Sequence, residues 1–235
     1  MPRTSRKHIR PDAPLGGLAE EYLEAMVACE RNRACDCVME AVERGESIKQ
    51  IYLHVFQPVQ YEIGWLWQSG AISVGQEHYC TNATQLIMSM LYPRIFKGER
   101  GGRRLVAACV QGELHEMGLR MLSDFFEMEG WNTDYLGAST PGESIVQAVR
   151  DLRPELLAIG VTMHDRLHEA AELIRAIREI ELPRRIPILV GGYTFLAVDT
   201  LWRKLGADGT AADAQQALAL ATEFVVDRDR GGGCE

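Results

Sequence analysis

Along the first half of the chain, apolar residues recur at the three-and-four spacing of a buried helix face. Four stretches carry the pattern: LAEEYLEAMVACERN, RACDCVMEAVERG, SIKQIYLHVFQPVQYEIGWLWQSG and SVGQEHYCTNATQLIMSMLYPRIF. Ser47 and Ser73 stand where N-caps belong, and Gln76 lies three residues after Ser73 in a capping-box pattern. Gly45 and Gly70 mark helix stops. Short connections between four such helices predict an antiparallel bundle over residues 17–97. The polar, glycine-rich KGERGGRR at 97–104 reads as a linker. From residue 105 the period changes. The runs LVAACV, TDYLG, LLAIGV, PILVGG and DGTAA read as five strands. Helical patterns at 115–130, 142–152, 165–181, 194–205 and 213–227 alternate with them. Continuously apolar strands that alternate with helices predict a parallel sheet covered on both faces. The fold class is therefore α/β: a helical bundle followed by a flavodoxin-like, Rossmann-like doubly wound sheet of five parallel strands over residues 98–227. Residues 1–16 read as a flexible, locally basic tail and 228–235 as a disordered one.

Composition narrows the classes. The 235 residues are 46% hydrophobic and 25% charged, with a formal net charge of −8. This is an ordinary globular profile. An acidic chain is a poor general binder of nucleic acid. No apolar run approaches a membrane span, and the first residues carry no apolar signal-peptide core, so a cytoplasmic location is expected. Six cysteines occur without a CxxC pair. They read as reduced thiols, and metal binding by Cys29, Cys35 and Cys37 is the minor reading.

Sheets of this class bind ligands beyond the carboxyl ends of their strands. After the first strand comes Gln111-Gly112-Glu113-Leu114-His115-Glu116-Met117-Gly118. It is no phosphate loop, since GxGxxG and GxxxxGK[ST] are both absent. It offers an imidazole, with a carboxylate two residues earlier to orient it and a glycine three residues later. The same residues also suit a surface histidine beside a helix start. After the third strand come Thr162-Met163-His164, and after the fourth Gly191-Gly192. His164 is either a contact of the same crevice or a polar loop residue. His54, in the bundle, reads as a core histidine.

ExHxxG, a hydroxyl residue after strand three and GG after strand four together resemble the cobalamin-binding domain of the methionine synthase type. That family's usual motif is DxHxxG with a Ser-x-Leu element and GG. Here Glu113 replaces the Asp, and Thr162-x-His164 replaces Ser-x-Leu. The resemblance covers about 97–227. It implies that His115 is the lower axial ligand of cobalt, displacing the cofactor's own base, and that Glu113 holds the far nitrogen of His115. It implies that Gly118, Thr162, Gly191 and Gly192 line the channel for the displaced nucleotide tail, with His164 beside it.

In that family a helical bundle caps the upper face of the corrin. This bundle carries Trp67 and, after nine intervening residues, Glu77-His78. W-x9-EH resembles the signature of the CarH-type cobalamin photoreceptors, where these residues surround the adenosyl group. Two departures stand out. Only about 16 residues precede the bundle, so no helix-turn-helix domain and no direct sequence-specific DNA binding are expected. Gln68 stands where those photoreceptors often have a cobalt-capturing His, which leaves His78 as the possible upper ligand after light.

The resemblance implies a light sensor and regulator rather than an enzyme. It would bind adenosylcobalamin, with methylcobalamin or hydroxocobalamin as other forms. Its signal would pass through self-association into a homo-oligomer, or through a transcription regulator as protein partner. The alternative is a corrinoid carrier protein that serves a methyltransferase system. A radical-mutase subunit is a third and weaker reading.

Overall fold

The computed structural model describes residues 6–95, 101–196, 198 and 200–231, with side chains as far as residue 225. The chain forms two compact units, divided after Ile95.

The first unit is helical. Helix α1 spans Gly16–Val27 and α2 spans Arg31–Glu43. Helix α3 (Ile48–Ile51), a π-helical turn (Tyr52–Phe56) and α4 (Gln57–Gln68) follow one another without a break. Helix α5 spans Val74–Leu91 and ends in a 3-10 turn, Tyr92–Arg94. The predicted apolar stripes are the buried ones. Ala19, Tyr22, Leu23 and Met26 of α1 face inward, as do Cys80, Ala83, Thr84, Ile87, Met88 and Leu91 of α5. The Tyr22 and Phe56 rings meet at 5.4 Å, and the buried Tyr22 hydroxyl is 2.9 Å from Thr84 Oγ1. Each fully buried Leu, Ile, Phe or Met adds about 1.5–3 kcal/mol. Ser73 forms the full capping box with Gln76. Ser47 occupies an N-cap position but makes no side-chain cap bond.

Residues 6–15 do not behave as the flexible tail that their composition suggests. Ile9 is buried, and the buried Glu62 carboxylate accepts the backbone N–H groups of Lys7 at 2.9 Å and His8 at 2.8 Å. The anchor lies more than fifty residues away in sequence, so no local pattern reports it. Residues 1–5 of the expected tail lie outside the described residues.

The second unit is the expected doubly wound sheet. Its elements are β1 (Arg104–Val110), α6 (Met117–Met128), β2 (Asn132–Thr140), α7 (Gly142–Leu152), β3 (Leu156–Gly160) and α8 (Leu167–Arg178). Then come β4 (Ile188–Gly191), α9 (Tyr193–Leu196), α10 (Leu201–Leu205), β5 (Gly209–Thr210) and α11 (Ala214–Gly231). The strand order is β2-β1-β3-β4-β5, and every pairing is parallel. Strand β1 shows why both faces are covered. Val106, Ala108 and Val110 join a core with Ile145, Val149, Leu173 and Ile174 of α7 and α8. Leu105, Ala107 and Cys109 join another with Leu119 and Phe126 of α6 and Ala217 and Ala221 of α11.

Boundaries differ from the sequence pattern in four places. Strand β2 is longer than TDYLG and carries register shifts against β1. It is an edge strand, only partly buried, so its polar ends carry no apolar signal. Strand β5 shrinks to two residues. The helix expected over 194–205 is split into α9 and α10. Helix α11 runs on to Gly231, into the stretch read as a disordered tail. Residues 97–100 of the linker and 232–235, with Cys234, lie outside the described residues.

Candidate functional site

The carboxyl ends of β1, β3 and β4 bring together the three loops that the sequence singles out. His115 lies just before α6 rather than inside it, and its side chain is half exposed. Its Nδ1 is 2.6 Å from Glu113 Oε1, and its backbone N–H donates to the same oxygen at 2.9 Å. The other oxygen, Oε2, accepts the backbone N–H groups of Thr162 at 2.7 Å and Met163 at 2.9 Å. Glu113 thus ties the loop after β1 to the loop after β3.

Electrostatics follow from this geometry. The Glu113 side chain is fully buried. Burial alone pushes its carboxyl up, but the hydrogen bonds from the His115 ring, the His115 backbone, Met163 and Thr162 outweigh burial and hold it at about 2. An ionised Glu113 takes the proton-bearing Nδ1 of a neutral imidazole. The lone pair then sits on Nε2, the form in which histidine ligates a metal.

The glycines do different things. At Gly192 φ is +125°, and a Cβ there would lie 2.1 Å from the Val161 carbonyl oxygen. Only glycine lets the two loops pass this closely. A Cβ at Gly118 or Gly191 would meet nothing within 4 Å, which leaves room for a bulky ligand. Three large apolar side chains stand exposed around the same edge: Leu114, Met163 and Tyr193. A flat, mostly apolar macrocycle suits such a rim. The donor set, the open space and the rim all fit a corrin ring with a histidine lower ligand.

His164 is also held. Its Nδ1 is 2.6 Å from Thr194 Oγ1, and that hydroxyl donates to the Thr162 carbonyl at 2.8 Å. A hydroxyl has one proton, so His164 Nδ1 must be the donor to Thr194. Sequence reading missed Thr194, which is buried, and Ser139, whose Oγ accepts the Gly112 N–H at 3.0 Å. The one sequence signal for Thr194 is a hydroxyl two residues after Gly191-Gly192. Ser139 gives none, because it depends on the bulged register of β2.

In the helical unit, Trp67 is the penultimate residue of α4 and is 41% exposed, while Glu77 closes the first turn of α5 and His78 follows it. Both flank the Ser69–Ser73 turn. Glu77 already has partners: His78 Nδ1 at 2.5 Å and Thr81 Oγ1 at 3.0 Å. Among the described residues, no group of three His, Cys, Asp or Glu is placed to hold a metal ion by itself. Cys29, Cys35, Cys37, Cys80 and Cys109 are free thiols, and burial pushes Cys37, Cys80 and Cys109 up to about 12. No helix among the described residues is long and apolar enough to cross a membrane.

Two models of a B12 binding domain match the chain, one over residues 103–219 and one over residues 18–92. Together they take in both units and most of the sequence, and the chain belongs to the B12-binding proteins. It is a cobalamin-binding protein with a helical domain and a Rossmann-like domain. Among its relatives is dimethylamine corrinoid protein 1 of Methanosarcina mazei, 22% identical over 90% of this chain and 97% of that protein. The HTH-type transcriptional repressor CarH of Myxococcus xanthus is 28% identical over 74% of this chain and 56% of that protein. Among solved structures, the monomethylamine corrinoid protein of Methanosarcina barkeri superposes with a TM-score of 0.79 at 20% identity, over 89% of this chain and 99% of that one.

These relatives overturn the expectation of a light sensor. Corrinoid proteins match this chain along nearly their whole length, whereas the CarH repressor matches over little more than half of its own. The W-x9-EH spacing drew the sequence reading toward the repressor. Similarity along the whole length of the corrinoid proteins outweighs that spacing.

Proposed function

We propose that this chain is a corrinoid carrier: a non-catalytic subunit that holds a methyl-bearing cobalamin and presents it to partner methyltransferases. The observation that carries the reading is the end-to-end similarity to the dimethylamine corrinoid proteins, 97% of the length of one and 100% of another. The bound cobalamin supplies a cobalt able to accept and release a methyl group.

The chain's own residues supply position and electronic tuning. His115 would hold the cobalt through Nε2, since its Nδ1 is engaged by Glu113. Glu113 fixes its tautomer and raises its basicity through Nδ1. Gly118, Thr162, Gly191 and Gly192 line the path of the displaced nucleotide tail, and His164, oriented by Thr194, contacts that tail. The exposed Leu114 and Met163 would pack against the corrin ring. Trp67, Glu77 and His78 belong to the helical B12 binding domain, where the exposed Trp67 would offer a methyl-bearing cofactor an apolar contact.

The test is a transfer assay. The cobalamin-loaded chain is chemically reduced and mixed with a methylamine-specific corrinoid methyltransferase and its amine. The visible spectrum of the bound cofactor is expected to change only when both are present, and much faster than with free cobalamin. Free cobalamin serving equally well contradicts the carrier reading.

A further inference from the structure

Strand β2 reaches the site by an irregular path. Ala107 pairs with Tyr135 and Val110 with Thr140, so three steps along β1 match five along β2. The surplus residues bow out as bulges. Among the described residues, four non-glycine residues hold a positive φ: Leu15, Cys29, Ser139 and Arg153. Leu15, Cys29 and Arg153 stand at or beside helix ends, whereas Ser139, at φ +46°, stands inside β2. A serine in this region is strained, and such strain persists where neighbouring contacts impose it, often beside a functional site.

The contacts of Ser139 show what imposes it. Its backbone N–H donates to the Glu113 carbonyl at 2.8 Å. Its Oγ accepts the Gly112 N–H at 3.0 Å. The two bonds bracket Gly112 and Glu113. That segment is a β-turn: the Glu113 N–H donates to the Val110 carbonyl at 3.0 Å, and Gly112 takes φ +81° at the third turn position. Arg166 borders the turn as well, since a Cβ on Gly112 would lie 2.9 Å from its guanidinium. From this turn Glu113 sends its buried carboxylate to the His115 ring and to the backbone of His115, Thr162 and Met163.

We propose that Ser139 is a positioning residue for the loop that carries His115. It fixes the turn from which Glu113 projects, and through Glu113 it sets the place and tautomer of the imidazole. Glycine would take this φ without strain, and serine adds the one atom that holds Gly112. Only the effect on cobalt rests on His115 being its ligand; the clamp belongs to the cobalamin-free chain.

Ser139→Ala removes the hydroxyl alone. Ser139→Gly removes the hydroxyl together with the strain, and so separates the contact from overall stability. The Gly112–Ser139 bond is open to solvent, so water can satisfy the Gly112 N–H in both variants. Amide hydrogen exchange is followed by NMR in the full chain without cobalamin. The His115, Thr162 and Met163 amides donate to Glu113 and not to Ser139. In both variants they are expected to exchange about fivefold faster, while Ile159 and Val190 in the sheet keep their rates. The ¹⁵N signals of the His115 ring are expected to move from the Nδ1–H form toward a mixture of tautomers. The Kd for added cobalamin is expected to rise in step. Faster exchange confined to Gly112, or a Gly variant identical to wild type at His115, would overturn the proposal. Faster exchange at all three amides with an unchanged Kd upholds the clamp and counts against His115 as the ligand.

Discussion

Three backbone N–H groups and one imidazole converge on the Glu113 carboxylate. Replacing Glu113 by Ala strands those donors, and a loss of about 3 kcal/mol in unfolding free energy is expected by urea denaturation. Glu113→Asp keeps the charge but loses a methylene of reach. It is expected to fall between wild type and Ala, because it cannot serve both His115 and the Thr162–Met163 backbone. The pH dependence has a definite sign. Folding lowers the Glu113 value from 4.5 to about 2. Its stabilisation is therefore complete above pH 4.5 and is lost as pH falls toward 2, a change on the order of 3 kcal/mol. Urea midpoints across that window are expected to drop more steeply for wild type than for Glu113→Gln, and parallel curves would refute the assignment. The pairing of Glu113 with His115 was legible in the sequence as ExH. The reach of Glu113 to the third strand's loop was not, because that contact spans about fifty residues.

At the level of elements, two glycines make opposite predictions. Gly192→Ala forces a Cβ against the Val161 carbonyl at a left-handed φ. A loss of roughly 3 kcal/mol or more is expected, seen as a lower melting temperature of the cobalamin-free chain. Gly118→Ala, inside α6 with open space around it, is expected to stabilise the cobalamin-free chain by about 0.5–1 kcal/mol while weakening cobalamin binding. If calorimetry finds both properties unchanged, Gly118 does not face the ligand. Ser73→Ala removes an observed capping box and is expected to cost about 1 kcal/mol. Elements with strong periodicity were readable: the bundle helices, β1, β3 and β4. Those set by long-range pairing were not. Edge strand β2 owes its length to β1, β5 is held by β4 over two residues, and the strap at residues 6–15 is set by Glu62.

For the whole molecule, the order of a helical domain before a doubly wound sheet was legible from the change of period near residue 105, and the cobalamin from three short loop motifs. The choice between regulator and carrier was not. Trp67 and Glu77-His78 pointed to the regulator, and the spacing of three residues was outweighed by similarity along the chain. Similarity along the full length, rather than a motif, separated the two. Both readings rest on the proposed ligation of cobalt by His115. The most direct measurement is electron paramagnetic resonance of the cobalamin-loaded, one-electron-reduced chain, prepared with ordinary and with ¹⁵N-labelled histidine. The account predicts that each cobalt line is split into a triplet by one axial nitrogen, that the triplet becomes a doublet on labelling, and that His115→Ala abolishes this response. A triplet unchanged by labelled histidine would mean that the cofactor keeps its own base, and would contradict the site at its centre.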